Sequence, residues 1–190
     1  MGKDFKRLEK EIINCRKCSL FKERKRHGFL PVIGEGSKKA KIMLIGEAPG
    51  FNEAKTGHPF CGRAGEILDI LLSSAGIKRE DIYITNLLKD RPPSNRAPKK
   101  EEIKACGKFL EKQIELIKPK IICPLGNFAT AFILKKYGFK TERISKIHGK
   151  IISTNSLKII PFYHPAVAVY MPKMISVLKN DFKILKKFKK

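Results

Sequence analysis

The sequence of 190 residues lacks tryptophan, contains a single glutamine and has few acidic residues for its length. Its 18 Asp and Glu residues stand against 41 Lys and Arg residues, which gives a formal net charge of +23. A charge of this size repels itself unless an anion is the partner, and nucleic acid is the anion that it suits best. Scarce glutamine and tryptophan beside heavy Lys and Ile usage indicate a thermophilic source.

Long apolar runs are also missing. No run approaches the length of a transmembrane helix and the N-terminus is polar and charged, so we expect no membrane association and no signal peptide. The length suits one domain over residues 1–190. We therefore predict a cytoplasmic protein, in which the five cysteines are more often free or metal-bound than paired in disulfides.

Strand and helix patterns alternate along the chain. Short apolar runs rich in β-branched residues predict four main strands, at residues 42–45, 82–88, 121–125 and 157–162, the last paired in a hairpin with residues 151–153. Apolar residues at helical spacing predict helices at residues 3–13, 64–75, 99–118, 126–137 and 174–188. Residues 20–36 are basic and turn-rich, and are predicted as a loop, either solvated or facing phosphates. The alternation predicts a parallel sheet between two helical layers.

Three polar residues lie at or just after the ends of different predicted strands: Glu47, Asn86 and His164. Open α/β sheets place their ligands at the carboxyl ends of their strands. Phe60 adds an aromatic face nearby. Taken alone, the turn that holds Glu47 fits an ordinary loop with one exposed acid equally well, but the convergence of these groups predicts a site.

Two cysteines, Cys15 and Cys18, are separated by two residues and follow a predicted helix. A redox CxxC motif would be expected after a strand, within a βαβ unit. This spacing therefore favours a metal centre over a redox pair.

Four groups of residues resemble the motifs of the family 4 uracil-DNA glycosylases. These are Gly46-Glu47-Ala48-Pro49-Gly50 with Glu53, Gly57-x-Pro59-Phe60-x-Gly62-Arg63-Ala64-Gly65, Thr85-Asn86-x-x-Lys89-x-Arg91-Pro92-Pro93-x-Asn95-Arg96, and His164-Pro165. The resemblance runs from Cys15 to about Pro172, with the motifs in the family's order. It implies an α/β three-layer sandwich with a central four-stranded parallel sheet, a [4Fe–4S] cluster, and removal of uracil from DNA to leave an abasic site.

The resemblance also implies roles for the site residues. Phe60 would stack on the flipped uracil, Asn86 would read O4 and N3–H, and His164 would stabilise the charge that develops on O2. Glu47 would position or activate water beside the cationic sugar, next to Gly46. Glu53 is the less certain carboxylate and is assigned to the C5 side of the ring. For DNA contacts we predict Arg91, Asn95, Arg96 and Tyr170, although Tyr170 would also fit a position in the core beneath the last helix.

One residue departs from the family pattern. Cys15, Cys18 and Cys106 match three cluster ligands, but the family's remaining cysteine is replaced by Asp90. An aspartate oxygen can take the fourth position, although thiolate is the usual ligand. Cys123 is the alternative, and we favour Asp90 because Cys123 falls within a predicted strand. Cys61 is interpreted as a packing residue.

A second class of function stays open, namely a non-catalytic iron–sulfur DNA-binding protein of the same fold. The intact set of Glu47, Phe60, Asn86 and His164 argues for the enzyme. We expect a monomer. The sequence leaves open a sliding-clamp partner, the choice between single-stranded and double-stranded DNA, and the acceptance of other damaged bases.

Overall fold

The computed structural model describes residues 2–188, and all structural statements below refer to that part of the chain. Its strands are β1 (Glu35–Gly36), β2 (Ile42–Gly46), β3 (Tyr83–Asn86), β4 (Ile121–Pro124), β5 (Ile152–Ser153) and β6 (Lys158–Ile159). They form one sheet in the order β1-β3-β2-β4-β6-β5.

The four central strands of this sheet are parallel, as predicted. β2 pairs with β3 on one side and with β4 on the other, and β6 extends the parallel set beyond β4. The edge strands β1 and β5 run antiparallel to their neighbours. The α/β class is therefore confirmed, and the sheet has six strands rather than four because each edge adds a two-residue strand.

Helices cover both faces of the sheet. They are α1 (Gly2–Ile13), α2 (Leu20–His27), α3 (Phe51–Thr56), α4 (Arg63–Ser74), α5 (Lys100–Ile117), α6 (Gly126–Lys136), α7 (Ile144–Ile147), α8 (Ala166–Tyr170) and α9 (Ile175–Phe182), and a 3₁₀ turn over Lys183–Phe188 follows α9. Alternate residues of β2 point to opposite faces. Leu44 packs in the core with α4 and α9, whereas Met43 and Ile45 pack with α1, α5 and α6.

The segment predicted as a basic loop contains a helix. α2 spans Leu20–His27 and ends at Gly28, which adopts φ 63° and donates its backbone N–H to the last turn. Only Leu20 of this helix is buried, so α2 offers too narrow an apolar stripe to be recognised from periodicity. No helix in residues 2–188 is long and apolar enough to cross a membrane.

Candidate active site

A pocket of about 530 Å³ opens at the carboxyl edge of the sheet. Eight residues predicted for the site line it: Glu47, Glu53, Phe60, Asn86, Asn95, Arg96, His164 and Tyr170. The parallel register explains this convergence, because Gly46 at the end of β2 pairs with Asn86 at the end of β3. A parallel bridge between Leu125 and Phe162 brings the chain before His164 to the same edge.

Gly46 lies behind the pocket rather than on its wall. A Cβ atom at this position would overlap Asn86 Oδ1 and the ring of Phe60. Glycine is therefore required here so that the amide and the ring can both approach the backbone. Gly46, which was predicted to bind uracil, therefore makes room for Asn86 and Phe60 and does not itself line the pocket.

Phe60 forms the aromatic wall of the pocket. Its ring stacks on the imidazole of His164, with centroids 5.6 Å apart and an interplanar angle of 27°. Its backbone has φ 52°, a left-handed conformation that phenylalanine seldom adopts. Arg79 supports this turn by donating hydrogen bonds to the carbonyl oxygens of Pro59 at 2.6 Å and Phe60 at 3.3 Å.

Arg79 is in turn held by two carboxylates. It donates to Glu35 Oε1 from Nε at 2.9 Å and from Nη2 at 2.8 Å, and to Asp69 Oδ1 at 2.8 Å. The turn that carries Phe60 is therefore supported by a residue that no sequence motif indicates. Arg79 is separated from its carbonyl partners by 19 and 20 positions, so no local pattern could have revealed it.

His164 presents a neutral imidazole to the pocket. The backbone N–H of Ala166 donates to Nδ1 at 3.2 Å, so the ring proton lies on Nε2. Burial lowers the pKa of His164 to about 4. The residue can therefore donate one hydrogen bond through Nε2 at neutral pH without carrying a charge.

Asn86 is almost fully buried, with 2% of its surface exposed. Its backbone carbonyl accepts a hydrogen bond from Lys89 Nζ at 2.7 Å. Lys89 also donates to Thr85 Oγ1 at 2.8 Å and to Gln113 Oε1 at 2.7 Å. Burial lowers the pKa of Lys89 to about 7. This network fixes the end of β3, and with it the position of the Asn86 amide.

Glu47 and Glu53 are the two carboxylates that line the pocket, and their surroundings differ. Glu47 is half-buried, and burial raises the pKa of its carboxyl. Glu53 lies in the first turn of α3 and approaches Gly50, where a Cβ would stand 2.6 Å from its Oε2. A carboxylate with a raised pKa in a cleft is a typical proton acceptor, and Glu47 has this property.

The residues predicted to contact DNA are arranged around the pocket mouth. Arg91 donates from Nε to Asn95 Oδ1 at 2.7 Å, within a turn where Ser94 and Asn95 have φ values of 51° and 54°. Arg96 lines the pocket, but its guanidinium is tied to the buried Glu102 by two hydrogen bonds of 2.9 and 2.5 Å. Arg96 is therefore anchored to the protein, whereas Tyr170 is 83% exposed and does not belong to the core.

Part of the predicted cluster site is assembled. The thiols of Cys18 and Cys106 interact, and this hydrogen bond lowers the pKa of Cys18 to about 7. The nearby charge of Asp90 acts on the same thiol. Arg24 donates to Asp90 Oδ1 at 3.1 Å and to the carbonyl of Cys15 at 2.9 Å, which links the CxxC turn to Asp90.

Among residues 2–188, no group of three or more His, Cys, Asp and Glu side chains has metal-binding geometry. The donor set nevertheless fits an iron–sulfur cluster in its chemistry, since thiolates are the usual ligands and the half-buried Cys18 packs against the hydrophobic cluster that contains the buried Cys106. Cys123 belongs to a different region, the core shared by β2, α4 and α9. Cys61 is exposed, so its assignment as a packing residue was wrong: its turn points outward beside Thr56, whose Oγ1 is 3.2 Å from the thiol.

Comparison with known proteins shows the family. The model of the uracil DNA glycosylase superfamily matches residues 33–188. A type-4 uracil-DNA glycosylase of Saccharolobus solfataricus is 46% identical over 181 residues, covering 93% of this chain and 82% of that protein. Another, from Archaeoglobus fulgidus, is 43% identical over 180 residues, with coverages of 93% and 88%. One from Thermotoga maritima is 47% identical over 136 residues, with coverages of 71% and 69%.

This level of identity across most of the chain is more specific than the superfamily match. The chain belongs to the type-4 uracil-DNA glycosylases.

Proposed function

We propose that the protein excises uracil with Asn86, Phe60, His164 and Glu47 as its base-reading and catalytic residues. It is a uracil-DNA glycosylase of DNA repair, as its family membership establishes. The reaction hydrolyses the N-glycosidic bond, releases free uracil and leaves an abasic site. The observation that carries the residue assignment is the meeting of these four side chains in one pocket at the carboxyl edge of the sheet.

Base reading requires uracil to leave the duplex stack and enter the pocket. The Asn86 amide would donate to uracil O4 and accept from N3–H, a pattern that cytosine reverses. Phe60 would cover one face of the ring. Glu53 would lie on the C5 side, where the methyl group of thymine would clash.

Cleavage of the glycosidic bond would use His164 and Glu47. As the bond between C1′ and N1 breaks, its electron pair passes to uracil, and negative charge develops on O2. The neutral Nε2–H of His164 would donate to O2 and stabilise that charge. Water would attack C1′ and give its proton to the Glu47 carboxylate, whose charge also stabilises the cationic sugar.

DNA binding follows from the family and from the large positive charge. Arg91, Asn95 and Tyr170 would make the contacts around the pocket mouth. Because Arg96 forms an ion pair with Glu102, it would hold its own loop in place as well as contact a phosphate. We further infer a monomer that works in the cytoplasm of a thermophile, and a sliding clamp stays a prediction.

We also propose that Cys15, Cys18 and Cys106 hold a [4Fe–4S] cluster together with Asp90. Asp90 is favoured over Cys123 because Arg24 links its carboxylate to the backbone of Cys15, whereas Cys123 lies in another part of the core. The Asp90 carboxylate would be the fourth ligand. The cluster would be structural, since hydrolysis of a glycosidic bond transfers no net electrons.

Release of free uracil from a uracil-containing oligonucleotide tests the assignment. We expect release by the wild type, and a single-turnover rate lowered about a hundredfold or more by His164→Ala, the typical effect of losing one such donor. Binding should weaken far less than the rate. Binding of the DNA without any release would instead indicate the non-catalytic protein of the same fold.

A further inference from the structure

An aromatic and cationic surface lies beside the pocket, and of its residues only Arg91 has been assigned a role above, in DNA binding. We call it the Phe51 platform, and it consists of Phe29 and Phe51 with His27, Lys55 and Arg91 around them. The two phenyl rings meet edge to face, with centroids 5.7 Å apart and an angle of 89°. The Arg91 guanidinium lies 5.7 Å from the Phe29 ring centre and 5.5 Å from that of Phe51. Lys55 Nζ is 5.3 Å from Phe51, and His27 stacks on Phe29 at 5.2 Å.

The position and exposure of Phe51 indicate more than a packing role. Phe51 is the first residue of α3 and lines the uracil pocket, yet 48% of its surface is exposed. The junction between α2 and α3 is already held by the backbone hydrogen bond from Leu30 to Ala54 at 2.7 Å. A ring that served only to hold these helices together would be expected to bury its faces.

We propose that the Phe51 platform stacks on an unpaired base next to the flipped uracil when the uracil lies in a single strand. This inference rests on the proposed function. Exposed rings among cations are the means by which proteins bind single strands, since every base has a face that can stack. Arg91 and Lys55 supply charges for the adjacent phosphates. In a duplex, the neighbouring base stays paired and stacked within the helix, so it gains less from the platform.

The test compares Phe51→Ala with the wild type on one uracil-containing sequence, presented as a single strand and as a duplex. Binding is measured with 2′-fluoro-2′-deoxyuridine in place of deoxyuridine, which prevents cleavage. We expect the single-strand Kd to rise about 5- to 100-fold, the range for loss of one base-stacking ring, with the duplex Kd within about twofold. Phe51→Trp should retain binding. Ile151→Ala, which removes a side chain from a residue 40% exposed and outside the pocket lining, should change neither Kd.

Two further readouts separate stacking from charge and from folding. The slope of log K against log salt should be unchanged in Phe51→Ala, because no cation is lost, and should fall by about one in Lys55→Gln. The melting temperature of Phe51→Ala should stay close to that of the wild type. A large drop in melting temperature, or an equal loss of binding to both forms of DNA, would overturn the proposal.

The stacked base can be identified by removing it from the DNA. An abasic residue placed on one side of the uracil should weaken wild-type binding about as much as Phe51→Ala does, and should weaken binding by the variant no further. If an abasic residue on either side of the uracil weakens binding by Phe51→Ala as much as it weakens binding by the wild type, the two losses are additive and stacking is contradicted. If the wild type releases no uracil, the proposed function fails. If the wild type releases uracil and Phe51→Ala binds single-stranded uracil-containing DNA as tightly as the wild type does, only this inference fails.

Discussion

At the scale of single residues, Asn86 is the side chain that we propose discriminates uracil from cytosine. Its amide both donates and accepts, whereas a carboxylate can only accept. We expect Asn86→Asp to lose uracil excision or to shift it towards cytosine, since the carboxylate can accept from the cytosine amino group. Excision is measured on matched oligonucleotides that contain uracil or cytosine. Asn52→Asp places the same charge elsewhere in the lining of the same pocket and should keep the uracil selectivity. A wild-type rate in Asn86→Asp would show that the base is not read by Asn86.

The pH dependence of the rate should report on Glu47 and not on His164. Burial raises the pKa of Glu47, and the residue must be ionised to accept the proton from water. The rate should therefore fall as the pH falls through that raised pKa. Burial lowers the pKa of His164 to about 4, so the imidazole keeps its neutral form across this range and adds no second step.

Single-turnover rates from mildly acidic to neutral pH test this assignment. Glu47→Gln should lower the rate and abolish the acid limb of the profile. Glu53→Gln, which changes the other carboxylate on the pocket wall, should leave the limb in place. An acid limb that survives in Glu47→Gln would assign the proton transfer to another group.

Asp90 is the proposed fourth ligand of the cluster, and this choice can be tested. The purified protein should be brown and contain about four iron and four sulfide per chain if the cluster is a cubane. Asp90→Cys should retain the cluster and make it more resistant to loss of iron, since thiolate is the usual ligand. Iron content that vanishes in Cys123→Ala and persists in Asp90→Ala would contradict the choice of Asp90.

The sequence revealed those site residues whose position follows from the end of a strand. Glu47, Asn86 and His164 could be grouped because parallel strands end at one edge of the sheet. Arg79 and Gln113 could not, because they act on partners that only the folded chain brings near. The contact between Asp90 and Arg24 could not be predicted either, because the two residues are 66 positions apart in the sequence.

At the scale of elements, α8 places an exposed aromatic ring in the pocket lining. It is a five-residue helix that follows His164-Pro165 and ends at Tyr170, whose ring is 83% exposed. A flipped nucleotide leaves a gap in the stack, and a ring at the pocket mouth can stack on the bases beside it. Tyr170→Ala should therefore weaken binding to uracil-containing duplex DNA, by an amount equivalent to about 1–3 kcal/mol.

The melting temperature provides the control for this prediction. It should barely change in Tyr170→Ala, because so exposed a ring adds little to the core. Tyr170→Phe should bind like the wild type if stacking is the contribution. Unaltered DNA affinity in Tyr170→Ala would remove the side chain from the DNA-binding surface.

At the scale of the whole molecule, the central strands and the hairpin of β5 with β6 were predictable, and β1 was not. β2, β3 and β4 are buried throughout, and their largely apolar runs are a pattern that the sequence displays directly. β5 pairs antiparallel with β6, as the predicted hairpin requires. β1 has two residues, and its strand geometry comes from pairing with β3 rather than from its own composition. The prediction of a single domain over residues 1–190 stays a prediction.

The net charge of +23 also acts at this scale, and its effect should separate binding from chemistry. Each phosphate neutralised by a cation releases condensed counterions, so log K should fall linearly with log salt. Proteins with six to ten such contacts lose about 10³- to 10⁵-fold in affinity between 50 and 200 mM salt. The reacting groups, in contrast, lie in a pocket where Asn86 is nearly buried and His164 is neutral. With enzyme in saturating excess, the single-turnover rate should therefore change little over a range of salt in which the Kd for uracil-containing DNA rises steeply. A rate that fell in parallel with affinity would show that the phosphate contacts also contribute to the transition state.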